Sequence, residues 1–124
     1  MKKNYIIYFF TLMLFLFCLS CASENLPDKG VKILSPKAND ILKAEEPYEI
    51  LWETDQPESE FGTKVTLEFS QDGGKPWKTV EENVPITGKY LWNVPKIDSA
   101  QCKVRVFSQY RPKYRGTSEI FSIK

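Results

Sequence analysis

Lys64-Val65-Thr66-Leu67-Glu68-Phe69-Ser70-Gln71-Asp72-Gly73-Gly74-Lys75-Pro76-Trp77-Lys78-Thr79-Val80 is the stretch that decides the fold. Val65, Leu67 and Phe69 alternate with Thr66 and Glu68, the period of a strand with one face in a core. Asp72-Gly73-Gly74 supplies a polar turn residue and two glycines that accept positive φ, so the chain reverses there. Trp77 to Val80 reads as the returning strand.

The same alternation recurs on both sides of this hairpin. Toward the N-terminus, Tyr48, Ile50 and Trp52 share a face opposite Glu49 and Glu53. Before them come Val31 to Leu34, stopped by Ser35-Pro36, and a weak piece at Ile41-Leu42. Toward the C-terminus, Tyr90, Trp92 and Val94 form an inward set closed by Pro95. Cys102, Val104 and Val106 follow, opposed by Lys103 and Arg105, and Ser118 to Ile123 is the last run. No stretch keeps a helical period over about ten residues, and Gly, Pro, Asn and Asp separate the runs. Seven short strands spaced this way predict an all-β fold over residues 30–124, a two-sheet sandwich of immunoglobulin-like or fibronectin type III-like kind.

The segment ahead of the sandwich has a different character. Lys2 and Lys3 precede an apolar run from Tyr5 to Leu19, then Ser20 and Cys21, after which the chain turns polar at once. About 15 apolar residues suit a cleavable export signal and fall short of the ~20 that a spanning helix needs. Cys18-Leu19-Ser20-Cys21 resembles the relaxed lipobox of bacterial lipoproteins, with Ser20 in place and Leu19 one position late. That resemblance implies a signal peptide over residues 1–20, lipidation at Cys21 by palmitate-class acyl chains, and a tether over 21–29. The chain is then expected in the bacterial cell envelope, held to the outer membrane through its N-terminal lipid. Cleavage after Ser20 or Ala22 by an ordinary signal peptidase, an uncut short anchor, and acylation of Cys18 are the competing readings.

Four blocks carry a further resemblance. Tyr48-Glu49-Ile50-Leu51-Trp52 is similar to the Y-x-I-x-W strand of small exported Ig-like modules, and Ser70 to Trp77 to their S-x-D-G-G-x-x-W hairpin. Tyr90-Leu91-Trp92-Asn93-Val94-Pro95 and Cys102-Lys103-Val104-Arg105-Val106 resemble their last two blocks. Such modules occur in bacterial surface proteins and in fungal cell-wall glucan-assembly proteins. The resemblance implies a sandwich in an envelope setting and transfers no activity. The hairpin also resembles the Asp-box of sialidase propellers. Pro76 occupies that box's Thr position and one copy is present, so the hairpin reads as a fold element in which Asp72 bonds the turn.

Composition narrows the chemistry. Without Lys2 and Lys3 the 17 Lys and Arg fall to 15 against 16 Asp and Glu, a balance that gives no general drive toward nucleic acid. The chain has no histidine, which removes the commonest acid–base catalyst and the commonest metal ligand. Of three cysteines, Cys18 leaves with the signal and Cys21 takes lipid, so Cys102 has no disulfide partner. The reading is a non-enzyme with no cofactor and no metal.

Recognition is expected from Gln109-Tyr110-Arg111-Pro112-Lys113-Tyr114-Arg115-Gly116, the loop joining the last two strands. Tyr110 and Tyr114 interleave with Arg111, Lys113 and Arg115, combining stacking surface with charge-assisted donors. A solvated basic hairpin loop is the plainer alternative. Glu45 to Glu60 has the opposite sign, with seven acids and no Lys or Arg. Asp55, Glu58 and Glu60 within it offer oxygens for a hard cation, or simply a solvated acidic loop. Trp52 and Trp92 run in phase with the core, leaving Trp77 as the ring most open to a sugar. The sequence thus predicts a membrane-anchored envelope lipoprotein whose Ig-like domain binds a protein or glycan partner or serves in assembly. The rivals are a structural envelope component without a ligand, or an accessory domain of a carbohydrate-active system.

Overall fold

The computed structural model describes residues 26–124, so the signal segment and Cys21 lie outside the described residues. Two sheets pack face to face, as the alternation requires. One has three strands, β1 (Val31–Ser35), β3 (Pro47–Thr54) and β6 (Lys89–Asn93), with β3 in the middle. The other runs β2 (Ile41–Leu42), β9 (Phe121–Ile123), β7 (Ser99–Ser108), β4 (Lys64–Ser70) and β5 (Lys78–Pro85), with β8 (Arg115–Thr117) also on β7. All pairings are antiparallel except β2 on β9. A one-turn helix, α1 (Glu58–Phe61), interrupts the connection from β3 to β4.

Among the described residues nine strands stand where seven were expected, and the differences have physical causes. The weak piece at Ile41-Leu42 is a true strand, held by pairing with Ser122 and Ile123 instead of by its own short pattern. The final run shortens to β9, and β8 forms ahead of it, beginning inside the expected 109–116 loop; each pairs a different part of β7. β5 continues past Val80 to Pro85 although Glu81, Glu82 and Asn83 break the alternation. Register shifts between Val65 and Glu68 and a positive φ of 58° at Asn83 accommodate the irregularity.

The core fills the space between the sheets. Ile50, Trp52 and Trp92 of the smaller sheet face Val65, Leu67, Phe69, Val104 and Val106 of the larger, and all are buried. Phe69 and Trp92 meet across the sheets with ring centroids 5.0 Å apart. Fully burying a side chain of this size stabilises by roughly 1.5–3 kcal/mol. Cys102 is fully buried and its thiol points at the Ser99 carbonyl at 3.6 Å. Burial pushes the thiol pKa up, against the opposing pull of its contacts to Ser99 and Ile123, which keeps it in the unreactive protonated form.

Residues just ahead of position 30 are also held to the sandwich. Asp28 accepts hydrogen bonds from the Thr117 N–H and hydroxyl, both at 3.0 Å. Lys29 and Arg115 exchange two backbone hydrogen bonds at 2.8 Å. Next to them Gly116 has no Cβ for a steric reason: one would lie 2.4 Å from the Val31 carbonyl oxygen. The segment leading into β1 is therefore stapled to β8.

Candidate functional site

One end of the sandwich gathers three connections: residues 55–63 between β3 and β4, 86–88 between β5 and β6, and 109–114 between β7 and β8. Backbone bonds tie them together, from Ile86 N–H to the Thr63 carbonyl at 3.3 Å and from Gln109 N–H to the Lys64 carbonyl at 3.1 Å. The opposite end carries the hairpin of residues 70–77.

The 109–114 loop is built around a buried serine. The Ser108 hydroxyl donates to the Phe61 carbonyl and accepts from the Arg111 N–H at 2.9 Å. Ser108 N–H reaches the Tyr114 carbonyl at 2.9 Å, and Tyr114 N–H reaches the Arg111 carbonyl at 3.0 Å, closing the turn. Gln109 bonds sideways to Asn83 through both ends of its amide, at 2.7 and 2.6 Å. It also accepts from Thr66, which explains why that outward-phased residue is buried.

The five residues expected to form one recognition surface divide. Tyr110 is 66% exposed and rests its Cβ on Gly62, where a side chain would come within 2.8 Å. Lys113 is exposed, with its ammonium 5.1 Å from the Tyr114 ring centroid. Tyr114 is only 5% exposed: it packs on Phe61 at 6.2 Å and its hydroxyl points at Glu60. Its place in the display is a correction, because the turn that leaves Tyr110 outward brings Tyr114 back into the core. Arg111 pairs with Glu60 at 3.1 Å and lies 5.3 Å from the Tyr110 ring centroid. Arg115 turns back to the Pro112 carbonyl at 3.1 Å and rests against Phe107.

The acidic stretch and the basic loop are neighbours, a relation that sequence reading missed. Glu60 answers Arg111 and Tyr114, so part of each charge excess serves the other. Among the described residues no group of three His, Cys, Asp or Glu side chains is placed to hold a metal ion. The one sign in the sequence is Gly62, directly after the acidic turn, which holds φ at 87° where the chain passes under Tyr110.

The outer face of the larger sheet carries a second arrangement. The Arg105 guanidinium lies 4.3 Å from the Trp77 ring centroid and binds Glu68 through Nε at 2.6 Å and Nη2 at 2.5 Å. Phe107 sits between Arg105 and Arg115, at 5.9 and 5.7 Å. Burial first, then the charge of Arg105, lowers the Arg115 pKa, while Asp28 and Glu68 oppose the shift. Gly74 lies against the indole of Trp77, where an added Cβ would be 3.4 Å from the ring. Arg105 thus covers one face of Trp77, whose ring is half-buried. The hairpin's turn is bonded by Ser70 and not by Asp72: the Ser70 hydroxyl accepts from Asp72 N–H at 3.3 Å and Gly74 N–H at 2.8 Å.

Strand order and burial together define the class. Three strands face a sheet in which β5 lies beside β4, on the side away from β9, the arrangement of fibronectin type III-like members of the immunoglobulin-like sandwiches. No protein-family model matches the chain, and no curated protein matches it. Among solved structures, the chain is similar to the fibronectin(III)-like modules of Clostridium thermocellum CbhA. The identity is 16%, the TM-score 0.40, and the match covers 75% of this chain and 90% of that one.

Proposed function

We propose that the chain is an exported lipoprotein, anchored through Cys21 in the bacterial envelope, whose sandwich is a non-catalytic binding or assembly module. The observation that carries this is the construction of the 109–114 loop. Buried hydrogen bonds at Ser108 and the packing of Tyr114 fix a short loop that presents Tyr110, Pro112 and Lys113 to solvent. A loop ordered before contact loses little conformational entropy on binding, and an exposed tyrosine beside cations is a common interface anchor.

The test uses the mature chain immobilised against an envelope extract, with protein, glycan and lipid all scored. Tyr110→Ala with Lys113→Ala is expected to lower capture roughly tenfold, as loss of an interface anchor does, with Tm unchanged. Capture equal to that of the parent chain removes the loop as the contact site. Mass spectrometry of the mature N-terminus checks the anchor: an unmodified start at any residue but Cys21 makes the chain a soluble exported protein.

A further inference from the structure

The two sheets end unequally on one side of the sandwich. Trp92 of β6 meets Phe69 of β4, and the larger sheet continues one strand further, to β5. Lys78 and Glu81 of β5 pair across the sheet with Phe69 and Leu67, which face the core, so both side chains lie on the inner face. They are nevertheless exposed, and with half-buried Val80 they form a shelf beside β6. Two adjoining recesses of about 260 and 360 Å³ run along this shelf, both lined by Phe69, Lys78 and Pro95. The larger also reaches Val80, Tyr90 and Trp92. Burial, then the charge of Glu81, pushes the Tyr90 pKa up, which places Glu81 at the Tyr90 end of the shelf and Lys78 at the Pro95 end.

The wall of the shelf is a free strand edge. Among the described residues β6 pairs with β3 alone. Trp52 N–H donates to the Gly88 carbonyl at 3.0 Å and Val94 N–H to the Glu46 carbonyl at 3.1 Å, both in the register of the β3–β6 ladder. Antiparallel alternation then turns the backbone groups of Tyr90 and Trp92 toward β3, and those of Lys89, Leu91 and Asn93 outward. The Lys89 carbonyl accepts from the Thr87 hydroxyl at 3.1 Å. Leu91 N–H and C=O face no strand, and its side chain is 65% exposed. The edge of β5 is guarded by register shifts, by inward Glu81 and by the positive φ of Asn83. β6 carries no such guard: its register is unbroken, and Lys89 is its only charge.

We propose that β6 accepts an added strand from a partner: an extended polypeptide segment, antiparallel to β6, that exchanges backbone hydrogen bonds with Leu91 and lays alternate apolar side chains on the shelf. The two charges set its direction. Lys78 favours an acid near the N-terminus of the segment, and Glu81 a base near its C-terminus. This site does not involve the 109–114 loop and stands whether or not Cys21 carries lipid.

The test uses the processed chain and a synthetic peptide, acetyl-Asp-Thr-Val-Thr-Val-Thr-Lys-amide. Its valines fall opposite Trp92 and Tyr90 when its central threonine meets Leu91. The peptide is expected to protect the Leu91 amide from exchange in NMR spectra, and N-methylation of the central threonine to weaken binding roughly tenfold. Exchanging the Asp and Lys of the peptide is expected to weaken it roughly fivefold, and Lys78→Glu with Glu81→Lys, both exposed positions, to reverse that preference. Leu91→Pro, which removes an N–H that faces away from β3, is expected to remain folded and lose binding. No protection of Leu91 at millimolar peptide overturns the proposal. Equal affinity for the N-methylated peptide overturns it in favour of apolar contact without strand pairing. Protection at residues 109–114 in place of 89–93 moves the contact to the loop and overturns it as well. Concentration-dependent dimerisation that Leu91→Pro abolishes, seen by sedimentation, gives the edge to a second copy of the chain instead.

Discussion

The two ends of the sandwich bond their turns in different ways. The hairpin of residues 70–77 bonds its own turn through Ser70 and seats Trp77 on Gly74, with distant residues Ser99, Gln101 and Arg105 holding its flanks. The loop end is assembled from distant pieces, with Ser108 reaching Phe61 and Arg111 reaching Glu60. Local construction leaves a signature in consecutive residues. Long-range construction leaves isolated residues whose roles depend on which partners the fold brings to them.

Breaking the long-range design costs most. Ser108→Ala strands the buried Phe61 carbonyl and the Arg111 N–H together, so a loss of about 2–3 kcal/mol is expected in urea unfolding. The same substitution at the hairpin, Ser70→Ala, removes an acceptor for two turn N–H groups, one of them at 3.3 Å. Its expected cost is smaller, about 1 kcal/mol. If Ser70→Ala proves the more damaging of the two, the contrast between the ends is wrong. Glu60→Gln tests whether charge or packing holds the loop. The pair with Arg111 is more than a third exposed on both sides, so the expected loss is at most about 0.5 kcal/mol, with little dependence on salt. A larger loss would shift the credit from Ser108 and Tyr114 to the ion pair.

Much of the sandwich is legible in the order of its residues. Ile50, Trp52, Val65, Leu67, Phe69, Trp92, Val104 and Val106 all lie inward as the alternation assigns them, because a strand's faces are fixed by its two-residue period. The position of the hairpin is legible too, whereas its bonding residue is Ser70 and not the expected Asp72. Both are common turn residues, and local sequence does not specify which side chain faces the N–H groups. The 109–114 loop falls at the expected place with a different membership. Tyr110 and Tyr114 are alike in composition and differ only in which way the chain turns them. β5 beyond Val80 has no signature of its own because its polar residues are held by pairing with β4 and Gln109.

The sequence by itself determined the all-β alternation, the central hairpin and the choice of core residues, since these follow from the periodicity of neighbouring side chains. It also carries the export signal and Cys21 as an expectation outside the described residues. Only the tertiary structure decided that Glu60 and Arg111 meet, that Tyr114 is core while Tyr110 is surface, and that Asp28 and Lys29 run along β8. Those outcomes depend on contacts such as Asp28 with Thr117, 89 residues apart, and no local pattern encodes a distance of that kind.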